Sequence, residues 1–312
     1  MTETTNPREI AHRPPEISTL VLDEVARRRK HPTAGTALGL PNVDAKLKPL
    51  RPGDLMTIIA RPSHYKSGLA QWWARRLAQQ SLDEESDEVV VYTTWEMAIE
   101  ELGIYDLSAA AKLDASEVAN GRLTDDDWTA LQAAAMRRSA LPLWYVGHSL
   151  ANRKKRLRLT LWTVERALIW IEDNMQFRCR ALFLDYLNLI QPEREPGGAP
   201  NMRTDLTEIV RVAKDLALEL GCPVILLAQA HRRVDERMWK LPQMADAMET
   251  SSIEQYSDVV ASLWMPKVTE PLGTTLTPPG SRDALEVTNN LLLLGLVKQL
   301  TAARVAQLEA GT

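Results

Sequence analysis

Residues 60–67, which read ARPSHYKS, have the composition and the surroundings of a phosphate-binding loop. An apolar segment over 55–59 precedes them, and a helical pattern over 67–80 follows. In a strand–loop–helix unit of this kind, backbone N–H groups and the helix dipole bind phosphate, a lysine reaches the β and γ oxygens, and a hydroxyl binds Mg²⁺. Lys66 and Ser67 stand at the positions that these last two roles require. The candidate nucleotide-binding residues are Ser63, His64, Tyr65, Lys66 and Ser67.

The loop departs from the pattern GxxxxGK[ST] at two positions, where Ala60 replaces the first glycine and Tyr65 the second. The second glycine normally adopts positive φ and lets the backbone approach phosphate, which costs a tyrosine about 1–2 kcal/mol. Tyr65 must therefore accept this conformation or reshape the loop. A cost of this size would weaken nucleotide binding about tenfold. Because a lysine-serine pair also begins helices by chance, other residues have to decide the assignment.

Three further polar residues follow apolar segments that are typical of buried strands: Glu96, Asp185 and Gln229. Ligands of open α/β sheets bind at the carboxyl ends of the strands, so these side chains would lie beside the loop. Asp185 would hold a water ligand of Mg²⁺, Glu96 would be the general base for the attacking water, and Gln229 would sense the γ-phosphate. Together with the loop, they predict a site for ATP and Mg²⁺.

The succession of apolar segments after residue 54 predicts one α/β domain with a doubly wound, mostly parallel sheet, because short apolar segments alternate with longer helical patterns. The predicted strands are Leu55–Ala60, Glu88–Thr94, Leu143–Val146, Ala181–Asp185, Val224–Ala228, Val259–Trp264 and Leu291–Val297. The predicted helices lie at 67–80, 97–113, 124–138, 160–175 and 203–220. The segment 266–284 is rich in Pro, Thr and Gly and is predicted to be a surface excursion.

A separate helix is predicted ahead of this domain. Residues 1–16 are polar and contain three prolines, so we expect them to be flexible. From Ile17 to Lys30 apolar residues recur at helical spacing, and the last four residues are basic, which suits the C-terminal end of a helix dipole. The apolar side must pack on its own domain or on a neighbouring subunit. We therefore expect a linker helix and tether over 17–35 and an ATPase domain over 36–312.

Composition limits the classes of function. The 312 residues are 45% hydrophobic and 25% charged, as in ordinary globular proteins, and a net charge of −4 argues against a general DNA-coating protein. We expect a cytoplasmic protein without membrane contact, because no stretch approaches about 18 apolar residues. Cys179 and Cys222 belong to no metal-binding motif and are expected to be buried thiols. The basic run 153–158 is expected to be a solvated face.

In combination, these segments resemble the C-terminal, RecA-like motor domain of DnaB-type replicative helicases, over about residues 36–264 and in consistent order. Four parts carry the resemblance, namely the approach to the phosphate-binding loop (50–55 and 60–63), the segment of the catalytic glutamate (95–97), the exit of the Walker B strand (185–190) and the DNA-loop segment with the helix after it (252–258). The helix over 17–30 is also similar to the linker helix of that family, which docks on the next subunit.

The resemblance implies a homo-oligomer, a hexameric ring that binds ATP between subunits and passes single-stranded DNA through its central channel. The matching channel segments are 191–202 and 246–252. Arg194 and Arg203 flank the first segment, whereas the second contains no basic residue. Backbone N–H groups can still bind phosphates there, so single-stranded DNA is expected as a partner.

The resemblance also implies that residues near the end of the domain reach the nucleotide of the neighbouring subunit. Lys298 stands where that family has a lysine, but Leu300 occupies the position expected for its arginine. Arg304, one helical turn later, is the candidate substitute.

Two functions of different classes stay open on these residues. An ATP-dependent translocase or helicase acting on single-stranded DNA is favoured by Glu96 and Asp185. The alternative is a RecA-like oligomeric platform or loader for other replication or mobile-element proteins, with weak or absent ATP hydrolysis, which Tyr65 and Leu300 favour. An ATPase assay with and without single-stranded DNA separates the two.

Overall fold

The computed structural model describes the residues 13–30, 35–44, 47–152, 158–193, 202–237, 240–247, 250–265, 284–288 and 292–299. The chain divides into two compact units, 1–35 and 36–312. In the first unit, helix α1 spans Pro14–Lys30 and so begins three residues before the helix expected from the sequence. The Arg13 backbone N–H donates to the Glu16 carboxylate at 3.0 Å and closes the first turn.

The second unit alternates strands and helices along the chain. Its helices are α2 (Pro41–Asp44), α3 (Lys66–Asp83), α4 (Ile99–Ala111), α5 (Ala115–Ala119), α6 (Asp125–Ser139), α7 (Leu161–Met175), α8 (Met202–Glu219) and α9 (Thr250–Tyr256). Its strands are β1 (Leu55–Ala60), β2 (Glu88–Thr94), β3 (Leu143–Val146), β4 (Arg178–Asp185), β5 (Val224–Gln229), β6 (Val259–Trp264), β7 (Ala284–Thr288) and β8 (Leu292–Gln299). Short 3₁₀ turns follow β3, β4 and β5.

The eight strands form one sheet in the order β3-β2-β4-β5-β1-β6-β8-β7. The first six strands in that order are parallel to their neighbours, and β8 and β7 are antiparallel. The predicted doubly wound, RecA-like α/β fold is thereby confirmed.

Several details differ from the sequence prediction. Strand β7 was not predicted, because its first residue closes the segment 266–284 that was expected to be a surface excursion; residues 266–283 lie outside the described residues. Strand β4 begins three residues earlier than expected, since Arg178 and Arg180 interrupt its apolar pattern. The five-residue helix α5 also escaped prediction, being too short for a periodic signal.

The parallel strands other than the edge strand β3 are buried on both faces and contribute to two cores. Leu182 and Leu184 of β4 join the core covered by α7 and α8. Phe183, between them, joins the core covered by α3, where it contacts Trp73 edge to face at 5.5 Å between ring centroids. The alternation fixes the register of β4 and therefore the place at which its last residue, Asp185, leaves the sheet.

Both cysteines are free and buried, as predicted. Of the tryptophans on helices, Trp73 is fully buried, whereas Trp162 and Trp170 are about half exposed. Among the described residues, no helix is long and apolar enough to cross a membrane.

Candidate functional site

The carboxyl ends of β1, β2, β4 and β5 meet at one edge of the sheet. Thr94, the last residue of β2, is in register with Asp185, and Ala60, the last residue of β1, is in register with Gln229. The Trp95 N–H donates to the Asp185 carbonyl at 2.9 Å, which continues the pairing one step beyond β2. The polar residues singled out in the sequence therefore converge at this edge.

The loop between β1 and α3 has left-handed backbone at two residues in spite of its missing glycines. Tyr65 directly precedes α3 with φ 62° and ψ 22°, which is the left-handed conformation. Ser63 also has positive φ, at 65°. The Tyr65 carbonyl accepts the first hydrogen bond of the helix, from the Leu69 N–H at 2.9 Å. Of the two possibilities raised by the sequence, Tyr65 therefore accepts the glycine conformation.

Lys66 begins α3 and points its ammonium group toward the end of β4. Its Nζ lies 3.9 Å from Asp185 Oδ1 and 3.9 Å from the centre of the Tyr186 ring. Burial lowers the pKa of Lys66, and the charges of Asp185 and Glu96 oppose this by raising it. The Lys66 ammonium group thus has one carboxylate and one aromatic face beside it, and its charge can attract a further anion at this place.

Asp185 is 2% exposed and has two differently engaged carboxylate oxygens. The Tyr92 hydroxyl donates to Oδ2 at 2.7 Å. Oδ1 has no hydrogen-bond partner within the described part of the chain. Burial, followed by the charge of Asp185, raises the pKa of Tyr92 well above its usual value, so the phenol stays a donor. A buried oxygen without a hydrogen bond beside Lys66 fits a Mg²⁺ site, because Mg²⁺ prefers oxygen ligands and keeps several of its waters.

Glu96 is exposed and lies just beyond the end of β2. Its charge raises the pKa of both Lys66 and Tyr186, although in Lys66 the effect of burial is larger and lowers it. The neighbouring residues fix its backbone: the Trp95 indole N–H donates to the Leu159 carbonyl at 2.8 Å. Glu96 is therefore a carboxylate in contact with solvent at the side of a buried cation.

Arg61 connects the loop to the segment after β5, a link that the sequence did not reveal. Its Nε lies 3.1 and 3.0 Å from the two carboxylate oxygens of Asp235, and Nη1 donates to the Ala230 carbonyl at 3.1 Å. Gln229, half-buried, ends β5 immediately before this braced segment. Arg61 therefore ties the loop to the segment that directly follows Gln229.

His64 has its side chain inside the protein. The imidazole is buried, and its Nδ1 accepts a hydrogen bond from the Met265 N–H at 3.0 Å. Burial lowers the pKa of His64, with a smaller opposing effect of Asp235. Its backbone N–H donates to the Arg61 carbonyl at 3.3 Å. The imidazole thus fastens the loop to the end of β6, and the sequence, which placed His64 only by its position in the motif, did not foresee this contact.

Other residues of interest lie elsewhere. Lys298 belongs to β8, in register with Val260. Arg304 and Arg194 lie outside the described residues, as does most of the basic run 153–158. Its last residue, Arg158, donates to the Pro192 carbonyl at 2.7 Å and so contacts the start of the first proposed channel segment. Within the described residues, no group of three or more His, Cys, Asp or Glu side chains forms a metal site.

Tyr92, Arg61 and Tyr186 are the residues at this edge that sequence reasoning missed. Arg61 stands at a variable position of the nucleotide-binding pattern, Tyr186 directly follows Asp185, and Tyr92 lies within β2, in which every residue after Glu88 is buried. The only available signal was that a tyrosine in a fully buried strand needs a hydrogen-bond partner.

Comparisons with known proteins agree with this geometry. A model of the family described as DnaB-like helicase C terminal domain matches residues 35–282. The replicative DNA helicase DnaC of Bacillus subtilis (strain 168) is 30% identical over 241 residues, which are 77% of this chain and 49% of that protein. The replicative DNA helicase DnaB of Geobacillus stearothermophilus is 28% identical over 257 residues, with the same two coverages. The chain thus spans about half the length of these relatives.

Solved structures show the same fold. A structure described as an ATPase domain matches with a TM-score of 0.71 at 21% sequence identity, over 93% of this chain and 92% of that one. A DnaB-like replicative helicase, described together with its interactions with primase, matches with a TM-score of 0.67 at 21% identity, over 85% of this chain and 58% of that one.

Proposed function

The chain belongs to the DnaB-like helicase C-terminal domain family, and we propose that it is the ATP-driven motor of a DNA helicase of the DnaB class, acting on single-stranded DNA in replication or in a mobile element. The observation that carries this proposal is the convergence of Lys66, Glu96 and Asp185 at one sheet edge, where one oxygen of the buried Asp185 has no hydrogen-bond partner among the described residues.

Each residue of the site has one task in this proposal. Lys66 binds the β and γ oxygens of ATP, for which it exchanges its contact with Asp185. Ser67 and Asp185 hold Mg²⁺, which neutralises charge on the phosphates when it is bound. Glu96 removes the proton of the attacking water, a role that suits an exposed carboxylate beside a cation. Gln229, at the end of β5, senses the γ-phosphate.

The missing glycines do not argue for a nucleotide-free platform. Tyr65 stands at the position of the second glycine of the motif, and its backbone has the left-handed conformation that this glycine normally adopts. The loop can therefore offer its N–H groups to phosphate, and Glu96 and Asp185 stand at the positions that nucleotide hydrolysis requires. The motor is for this reason preferred over the platform.

We further propose that the active form is a homo-oligomer, a hexameric ring in which α1 of one copy docks on the next. We assign the docking site to a groove of about 580 Å³ between α4 and α5. Met97, Ile104 and the half-exposed Tyr105 give it an apolar floor, and Glu101 and Asp114 give it an acidic rim. The apolar side and the basic last turn of α1 complement such a groove. Lys298 and Arg304 would then reach the nucleotide of the neighbouring copy.

The function is tested by ATP hydrolysis and strand separation measured with the purified protein. We expect Mg²⁺-dependent hydrolysis that single-stranded DNA stimulates, and unwinding of a forked duplex. Hydrolysis without stimulation, or binding to DNA without hydrolysis, would favour the platform.

The assembly is tested by light scattering. Deletion of residues 1–32 and the groove variant Tyr105→Asp should both lower the mass of the particle. Trp128→Asp, on α6 at nearly the same exposure (54% against 53%), is the matched control and should leave the mass unchanged.

A further inference from the structure

Tyr65 and Gly68 are packed together at the start of α3. The third residue of the helix, Gly68, lies under the ring of Tyr65, the residue just before the helix. A Cβ atom built on Gly68 would lie only 2.7 Å from Cε1 and from Cζ of that ring, and 2.9 Å from Cδ1. Non-bonded carbon atoms pack at about 3.5–4.0 Å, so no other residue at 68 leaves the ring where it is.

A glycine in the first turns of a helix calls for a reason, because it weakens the helix relative to alanine. Gly68 has ordinary helical φ, since it is absent from the residues with positive φ, so backbone conformation does not require it. By contrast Gly103, in α4, has open space around its Cα, and a methyl group there would meet nothing within 4 Å. The reason at Gly68 is the Tyr65 ring.

We propose that Gly68 is a positioning residue of the nucleotide loop, which keeps the Tyr65 ring folded along α3 and out of the space that phosphate must enter. The loop thus has a glycine at position 68, three residues after position 65, where the motif has its second glycine. This inference rests on the proposed nucleotide-binding function, because it assigns Gly68 a role in that site.

The Tyr65 ring has room to move when another atom takes its place. Tyr65 is 59% exposed, and the atoms that a Cβ at 68 would strike are at the far end of its side chain. A methyl group at 68 therefore displaces the ring without disrupting the core. Because Tyr65 directly precedes Lys66, we expect the displaced ring to approach the phosphate position of the loop and to compete with phosphate. The defect should appear in nucleotide affinity and should disappear when the ring is removed.

The test is a double-mutant cycle of Gly68→Ala and Tyr65→Gly in the full chain, with Gly103→Ala as the control. A fluorescent ATP analogue with Mg²⁺ measures affinity. We expect Gly68→Ala alone to weaken binding on the order of tenfold, the equivalent of about one lost charged hydrogen bond. In the Tyr65→Gly background Gly68→Ala should no longer weaken binding, and Gly103→Ala should have no effect in either background.

Thermal unfolding supplies a readout that does not depend on nucleotide. Alanine at 68 should raise Tm by about 2 °C in the Tyr65→Gly background, where only helix propensity acts, and should fail to raise it when Tyr65 is present. Equal effects of Gly68→Ala in both backgrounds, in affinity and in Tm, would overturn the inference. If the wild type binds no nucleotide but the Tm effects differ, the contact is supported and the proposed function fails.

Discussion

The two sides of the proposed nucleotide site are built in different ways. On the strand side, Asp185 and Tyr92 are buried and joined by a hydrogen bond of 2.7 Å. On the loop side, Tyr65 is exposed, and its side chain makes no capping hydrogen bond. The backbone of the loop is left-handed at Ser63 and Tyr65. The fixed charge of Asp185 thus lies at the end of a sheet strand, whereas the surface that must admit a ligand lies in the loop.

This difference decides whether the conformational cost of a left-handed Tyr65 lowers nucleotide affinity or the stability of the fold. The sequence alone assigned the cost of the left-handed tyrosine to nucleotide binding. In the structure Tyr65 has this conformation, with φ 62°. We therefore assign the strain to the stability of the fold, and we expect phosphate to meet a loop of this backbone shape.

The largest effect is expected at the edge of the strand side, from Glu96→Gln. The variant keeps the size of the side chain and loses the base, so turnover of ATP should fall about 10²–10⁴-fold while nucleotide affinity is retained. The matched control is Glu88→Gln, at the opposite end of β2, where the carboxylate pairs with Arg180 at 3.3 Å. Turnover that stays at the wild-type level in Glu96→Gln would show that another group is the base.

The next effect is expected from Tyr92→Phe, which removes the hydrogen bond to Asp185. One buried carboxylate oxygen then loses its donor, and the free energy of unfolding should fall by about 1–3 kcal/mol in urea denaturation. Tyr145→Phe is the control, on the neighbouring strand: the described residues offer its buried hydroxyl no hydrogen-bond partner, so the loss should be smaller. Equal losses would mean that the bond to Asp185 contributes nothing.

A smaller effect of opposite sign is expected on the loop side from Tyr65→Gly. Glycine takes the left-handed conformation without steric cost, so the free energy of unfolding should rise by about 1 kcal/mol. Affinity for Mg²⁺-ATP should change little, because the backbone of the loop is the same before and after the substitution. A tenfold gain in affinity with no change in stability would place the strain in binding and contradict the structure.

The smallest effect concerns His64 and pH. Its pKa is lowered by burial below the ordinary value of 6.5, and its neutral Nδ1 accepts the Met265 N–H. The folded protein therefore resists protonation of this group more than the unfolded chain does. The associated stability is present above about pH 6.5 and is lost as pH falls through the lower pKa of the folded state. In His64→Gln, Tm should decline less than in the wild type between about pH 7.5 and 5.5; parallel curves would exclude this role.

The fold and the main site residues were predictable from the sequence because they depend on local patterns. The apolar strands that end in Asp185 and Gln229 bring these two residues to the carboxyl edge of the sheet, because the strand pattern and its register fix where each strand ends. The contacts of Arg61 with Asp235 and of His64 with Met265 join residues 174 and 201 positions apart, and no local pattern reports them. Strand β7 was missed for a related reason, since an edge strand is defined by its partner, β8.

The central claim is that this loop binds Mg²⁺-ATP although tyrosine has replaced its glycine. Titration calorimetry of the wild type and of Lys66→Ala with a non-hydrolysable ATP analogue, each with and without Mg²⁺, tests it directly. We expect saturable, Mg²⁺-dependent binding by the wild type and its loss in Lys66→Ala, whose folding is checked by Tm. Absence of binding by the wild type, or equal binding by Lys66→Ala, would contradict the account.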